Sequence, residues 1–407
     1  MSAQPAGQGG AASLNPIRLG YFAFFLGLGV YLPYFSPYLI EQGFAPDTVG
    51  AMLAMVMAAK LVAPPLLGWV VDHSGRVVVW LIAAAVVSGL LAAGLGVLGG
   101  LDAGLLGWMV LLVLFGFFWQ PLLSQLDVAA LRLTGPAPER YPALRAWGSI
   151  GFIVASVGLG ALIDRIGLGA VPWLMAAALA GLAMVLWRVP EPGVPRETGA
   201  RPVSIRARLK EPAMLGFFAG SFLINLSHGV YYAFFSVHLA ELGYSATAIG
   251  LLWALGVVAE IVLFFLLPGL RNRFAPLFLL LIAVALMALR WLLIGYQADV
   301  LGWLLFAQLL HAASFGMTHA VGIWVIDHQF PGRAHARGQA ILSAASYGGG
   351  AALGLYLAGL LWGRVDPGTA FAAMTVASLL AFGLMLASRR VVRWSPGERE
   401  AGRQHPG

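Results

Sequence analysis

Residues 29–44 read GVYLPYFSPYLIEQGF, and residues 229–244 read GVYYAFFSVHLAELGY. Adding 200 to the first numbering carries Gly29-Val30-Tyr31 onto Gly229-Val230-Tyr231 and Phe35-Ser36 onto Phe235-Ser236. Leu39, Glu41, Gly43 and Gly50 likewise return as Leu239, Glu241, Gly243 and Gly250. The match extends over the stretch from Tyr21 to Arg76, two long apolar runs broken by one short polar loop. A helix hairpin recurring at half the chain length, in a strongly apolar sequence, is the pattern of membrane transporters built from two parallel repeats. The two copies differ where charge is concerned. Lys60, the basic residue within the first hairpin, falls on Glu260 in the second.

Composition sets the solvent. Of 407 residues, 60% are hydrophobic and 10% charged, where a soluble domain carries roughly 25% charged residues. Such a chain cannot cover a water-facing surface, so lipid is its solvent. Apolar runs predict an all-α membrane protein with twelve transmembrane helices near 17–40, 47–71, 77–99, 103–127, 144–163, 170–188, 213–240, 247–269, 275–296, 300–326, 337–362 and 368–388. Each is close to the ~20 residues that span a bilayer. The expected organisation is a polar tail (1–16), a six-helix half (17–188), a Pro- and Arg-rich linker (189–211), a second half (212–390) and a C-terminal tail (391–407). The first apolar run is too long for a signal h-region and lacks a cleavage context, so no cleavable signal peptide is expected. The chain has no cysteine, which excludes disulfides and thiolate metal sites.

The basic residues are placed asymmetrically. Arg18, Arg76, Arg132, Arg140, Arg188, the linker arginines, Arg271, Arg273, Arg333, Arg389 and Arg390 fall on one set of loops and ends. The opposite loops offer Arg165 and Arg364 beside Glu41, Asp47, Asp102, Asp164, Glu241, Asp299 and Asp366. The positive-inside rule then places both termini in the cytoplasm. The net charge of +7 is therefore a topology signal and calls for no nucleic acid. Glycine recurs inside the predicted helices, notably Gly348-Gly349-Gly350 and Gly354. Small residues let helices approach closely in lipid, and the 348–354 run also suits a flexing point.

After the second predicted helix the sequence runs Gly68-Trp69-Val70-Val71-Asp72-His73-Ser74-Gly75-Arg76. This resembles the Gly-x-x-x-Asp-x-x-Gly-Arg loop of the major facilitator superfamily. There Gly75 permits the turn, Gly68 permits close helix contact, and Asp72 and Arg76 can pair with neighbouring helix ends. Three further segments narrow the resemblance: Arg145-Ala146-Trp147-Gly148-Ser149-Ile150-Gly151-Phe152, Ser227-His228-Gly229-Val230-Tyr231-Tyr232, and Leu310-His311-Ala312 with Phe315-Gly316. They are similar to the 3-phenylpropionic acid transporter group, itself related to lactose permease and the nucleoside–proton symporters. The resemblance spans about residues 15–390. It implies the facilitator fold and proton-coupled uptake.

Ionisable side chains in a span cost several kcal/mol unless paired or hydrated, so each is a functional candidate. Asp127 and Arg145 are eighteen residues apart, the separation of the sugar-binding acid–base pair in lactose permease. By that resemblance both face a central cavity and bind substrate, Arg145 gripping a carboxylate and Asp127 holding Arg145. Helix-end charges at the headgroup level are the plainer alternative. Glu260, Arg290 and His311 fall in the half where lactose permease keeps its proton-coupling residues. A carboxyl in an apolar cavity holds its proton more tightly, and a nearby guanidinium loosens it. Glu260 is thus expected to carry the proton, Arg290 to modulate it, and His311 to relay it or bond substrate; a purely structural charge network is the competing reading. The second acidic residue that lactose permease carries after its helix-10 His has no counterpart in Ala312-Ala313-Ser314-Phe315. Lys60 either neutralises an anionic substrate or pairs with an acid on a neighbouring helix. Asn225, His228, Tyr31 and Tyr231 complete the expected lining, which suits an aromatic carboxylate.

These features imply a proton-driven importer of a small organic acid such as 3-phenylpropionate, working as a monomer in a bacterial inner membrane with substrate, protons and lipid as its partners. Nucleoside or sugar symport is the alternative, and metabolite efflux is weaker still. An enzyme is not expected: no nucleotide loop, cofactor motif or dense metal cluster is present, and His73, His328 and His335 fall in predicted loops without ligand spacing.

Overall fold

The computed structural model describes residues 14–101, 104–135, 137–193, 205–332 and 334–392. Asp102, Arg333, most of both tails and the linker residues 194–204 lie outside the described residues. Among the described residues twelve helices are long and apolar enough to cross a membrane. They are α1 Asn15–Glu41, α2 Pro46–Ser74, α3 Val77–Gly99, α4 Leu105–Thr134, α5 Tyr141–Ile166, α6 Leu168–Leu186, α7 Pro212–Glu241, α8 Ala246–Arg273, α9 Pro276–Gln297, α10 Leu301–Gln329, α11 Ala334–Trp362 and α12 Pro367–Ala387. The count matches the sequence reading and the ends differ where it matters. Helix α4 continues to Thr134 and α5 begins at Tyr141, so Asp127 and Arg145 lie inside helices and do not flank a loop. His73, His328 and His335 also lie within helix ends, because those helices outlast their apolar runs.

Backbone polar groups in hydrocarbon must be satisfied within the segment, which is why the chain is helical throughout its spans. Helices α4 and α7 are interrupted at Gln120 and His228, and four more change helix type within the span. Helix α2 tightens into a 3₁₀ turn at Ala59–Leu61, just before Pro64 and Pro65, whose rings and missing N–H groups break the ladder. Helices α5, α10 and α11 widen into π turns at Ala155–Leu159, Ala312–Met317 and Ser343–Gly350. Such turns are frequent at functional sites.

Helix α1 packs on α5 and α6 in the first half, and α7 packs on α11 and α12 in the second. Between halves, α2 meets α11 and α5 meets α8. Gly50 allows the first contact: a Cβ there would lie 2.6 Å from the Gly359 Cα. At the second, a Cβ on Gly250 would collide with the carbonyl of Ser156. Both pairs lie at the end of the molecule carrying the loops after Glu41 and Glu241. Glycines 348, 350 and 354 are likewise contact positions, against Leu61, Phe222 and Leu226, so close packing accounts for them.

The hydrogen bonds joining the halves gather on the first turn of α8. Asp164 of α5 accepts from the backbone N–H groups of Ala246 at 2.7 Å and Thr247 at 2.9 Å, and from the Thr247 hydroxyl at 2.5 Å. The Tyr34 hydroxyl bonds the Ser156 carbonyl and lies 3.0 Å from that of Ala246. A carboxylate at orphan N–H groups is favourable through both hydrogen bonding and the helix dipole. This end is closed, while towards the other end Arg145, in the second turn of α5, keeps 38% of its side chain exposed.

Cysteines replacing Asp164 and Thr247 in this cysteine-free chain should cross-link on oxidation and reduce transport by about tenfold or more, with recovery on reduction. Oxidised protein that transports like its reduced form would show that this end need not open.

Candidate functional site

The charged groups near the middle of the bundle form three clusters. In the first half, Asp127 on α4 accepts from the Tyr21 hydroxyl of α1 at 2.6 Å and from Arg145 Nη1 of α5 at 3.0 Å. Arg145 thus meets the carboxylate through one nitrogen, and its guanidinium also lies 5.8 Å from the Phe25 ring centroid. The pair is part-exposed, at 38% for Arg145 and 27% for Asp127. Water screens it, so its worth is positional more than energetic.

In the second half, Glu260 on α8 faces His311 on α10. Glu260 Oε2 and His311 Nε2 are 3.9 Å apart, beyond hydrogen-bond length. Glu260 is 17% exposed, and Arg145 lies within its electrostatic reach across the cleft. Gly316, one turn beyond His311, leaves room for it: a Cβ there would stand 3.0 Å from the Glu260 Cγ.

Arg290 on α9 is fully buried and turns elsewhere. Its Nε donates to the Ala307 carbonyl at 3.1 Å, Nη1 to Ser314 Oγ at 3.2 Å and Nη2 to Gln308 Oε1 at 3.2 Å. Its guanidinium lies 4.1 Å from the Tyr231 ring centroid and 4.8 Å from that of Trp291. Three acceptors and two aromatic faces hold a cation without a bonded carboxylate. Ser314 occupies the region where an acid was sought after His311, and here it serves Arg290.

The remaining expected residues divide. Lys60, in the 3₁₀ turn of α2, points its Nζ over the Tyr347 ring of α11, 5.6 Å from the centroid. The Tyr347 hydroxyl is 2.5 Å from Nδ1 of His319. Asn225 shares a narrow crevice with Ser221, Thr318 and Tyr347 and gives its amide hydrogen to the Ser221 carbonyl at 3.1 Å. His228 is buried, bonded through Nδ1 to the Ile224 carbonyl at 2.8 Å and set edge-on against Trp291. Tyr31 is packed against Phe35, Phe115 and Trp119. Tyr231 takes a bond from Gln308 Nε2 at 3.2 Å. These three belong to the interiors of their own halves in this state.

At the loop after α2, Gly75 adopts φ +69°, as the turn demands. Asp72 pairs with Arg132 of α4 at 3.5 Å. Gly68 is less constrained than expected, since a Cβ there would meet only Gln125 Nε2, at 3.6 Å. Glu191, from the start of the linker, accepts from the Val78 N–H at 3.0 Å and caps α3 beside this loop. The sequence reading missed His319, Tyr347, Gln308 and Asp164. His319, eight residues after His311 on the same helix, was the one with a visible signal.

Twelve spans in two packed halves, with charge gathered at the centre, define a carrier of the major facilitator type. The chain belongs to the MFS_1 like family, whose model matches residues 15–373, and it is a multi-pass inner-membrane transporter. It is 29% identical to the "Probable 3-phenylpropionic acid transporter" of Escherichia coli (strain K12), over 90% of this chain and 96% of that one. It is 26% identical to the "Maltose permease" of Geobacillus stearothermophilus, over 97% and 98%. A crystal structure of a mutant nucleoside transporter NupG superposes with a TM-score of 0.81 at 17% identity, covering 92% of this chain and 99% of that chain. That likeness concerns the fold.

Arg290→Lys should lower the melting temperature in detergent by roughly 3–8 °C, because one ammonium cannot reach three divergent acceptors. An unchanged melting temperature would mean that the fork is not what holds α9 to α10.

Proposed function

We propose that this transporter takes up a small aromatic carboxylate together with a proton, by alternating access. The reading rests on the placement of Glu260: a carboxyl with no side-chain cation bonded to it, at a polar centre shared with Arg145 and Lys60. Arg145 and Lys60 supply two positive charges there, and Asp127 and Glu260 supply two negative ones when ionised. The centre is then neutral. Protonating Glu260 leaves one positive charge, which is complementary to one carboxylate. Proton and acid therefore favour each other's binding, and by linkage the preference is reciprocal. His311, 3.9 Å from Glu260, is positioned to pass the proton or to bond the substrate, and the Tyr347 phenol is within electrostatic reach of the same carboxyl.

The moving units in this reading are the halves 17–188 and 212–390, joined by the 189–211 linker, with both termini cytoplasmic. The closed end then faces outward, and the state described is inward-open. The relative named as a phenylpropionic acid transporter supports the substrate class. A second reading, symport of a nucleoside or sugar, draws on the Asp127–Arg145 pair, whose polar edges also suit hydroxyl groups, and on relatives named for maltose and nucleosides. The chain is read as acting as a monomer and as a carrier, with no covalent step.

The test is proton movement in proteoliposomes carrying an internal pH dye, with 3-phenylpropionate, a nucleoside and a sugar added in turn. Acidification of the lumen with the acid alone supports the first reading; a response to the nucleoside or sugar alone supports the second. Glu260→Gln should abolish accumulation against a gradient while substrate exchange persists, because exchange returns each half-cycle loaded. Full accumulation by Glu260→Gln would remove Glu260 from the proton path.

A further inference from the structure

Two cations reach the polar centre, and their surroundings differ. Arg145 is already compensated, since its Nη1 lies 3.0 Å from Asp127. Among the described residues no carboxylate lies within ion-pair distance of Lys60, whose recorded neighbour is the Tyr347 ring. Lys60 is half-buried, and the repeat has placed the site's free acid, Glu260, on the opposite half. His319 completes the surroundings, bonded to the Tyr347 hydroxyl and within electrostatic reach of both Arg145 and Lys60.

Resting on the aromatic-carboxylate reading, we infer that Lys60, Tyr347 and His319 form the pole that binds the substrate's carboxylate, and that Arg145 does not. A lone ammonium in a low-dielectric cleft gains most from an anionic ligand, because no internal carboxylate has to be displaced. When His319 donates from Nδ1 to the Tyr347 oxygen, the phenol hydrogen is left to donate to the carboxylate beside Lys60. The anion then bonds α2 of one half and α11 of the other. The helix ladders are irregular at both places, in the 3₁₀ turn at Ala59–Leu61 and the π turn at Ser343–Gly350, and Gly348 lies directly against Leu61. Substrate bound here bridges the two halves at segments that already touch. Arg145, held by Asp127, which also accepts from Tyr21, is left to line the neighbouring wall of the cleft.

The experiment is calorimetric titration of the full chain in detergent with 3-phenylpropionate and with its neutral amide. The unmutated protein should prefer the acid. In Lys60→Gln that preference should fall by about tenfold or more while amide binding persists, and Lys60→Arg should restore most of it. Arg145→Gln should weaken acid and amide alike. A preference kept in Lys60→Gln, or lost only in Arg145→Gln, overturns the assignment and leaves the carboxylate reading standing. Equal or absent binding of acid and amide by the unmutated protein overturns both. If Lys60→Gln binds neither compound, Tyr347→Phe decides: a severalfold lower preference for the acid supports the pole, and an unchanged one overturns it.

Discussion

A charge inside a bilayer must find a counter-charge, an array of dipoles or water, and the cations at the centre of this molecule do not share one solution. Arg145 has Asp127. Arg290 has three uncharged acceptors and two aromatic faces. Among the described residues Lys60 and Glu260 are bonded to no opposite charge, and the proposed cycle uses those two. A group already paired in the empty protein gains little when a ligand or proton arrives, whereas an unpaired one gains the full interaction. In the proposed cycle the chemistry of transport falls to the residues the fold leaves incomplete.

The repeat explains how an acid and a base came to be set apart in this way. Lys60 and Glu260 are mates across the two hundred-residue shift, so the frame gives them equivalent depths on α2 and α8. Each packs against a helix of the other half, α2 on α11 and α8 on α5. Exchanging one charge sign between copies turns a symmetric frame into one with two unlike poles. The same asymmetry appears at the closed end. There α5 and α8 are joined by the Asp164 carboxylate, and α2 and α11 by bare glycine contact. One seam depends on hydrogen bonds and the other on fit alone, so the two need not open at equal cost.

The fold was legible because lipid imposes a simple code of long apolar runs, short loops and arginines on one side. Boundaries were read less well. The ends of α4 and α5 extend through polar turns that hydropathy discounts, so Asp127 and Arg145, expected at the very ends of their helices, lie further inside them. The Asp127–Arg145 pairing was implied by the resemblance to lactose permease, and the two side chains are 3.0 Å apart. The link from Arg290 to Glu260 could not be judged from sequence. A guanidinium chooses among acceptors by distance, and Gln308, Ser314 and a backbone carbonyl carry no formal charge to draw notice. Tyr31 and Tyr231 were placed in the lining by repeat symmetry, yet each is packed within its own half, since an aromatic ring in a helix bundle serves packing as readily as recognition.

Asp164 shows how local chemistry serves a global change. The first N–H groups of α8 are orphans wherever the helix begins, and they need an acceptor whether the halves are together or apart. In the closed state α5 supplies it as a carboxylate. On opening, water can take its place at both partners, so neither state leaves a buried polar group unsatisfied. The Gly250 contact has no such substitute, because a backbone pressed against the Ser156 carbonyl gains only when the helices touch. Close backbone contact at Gly250 thus adds to the exchangeable hydrogen bonds that join α5 and α8. In the proposed cycle, a seal built from these two terms excludes solvent and opens when a bound substrate and proton change the charge at the centre.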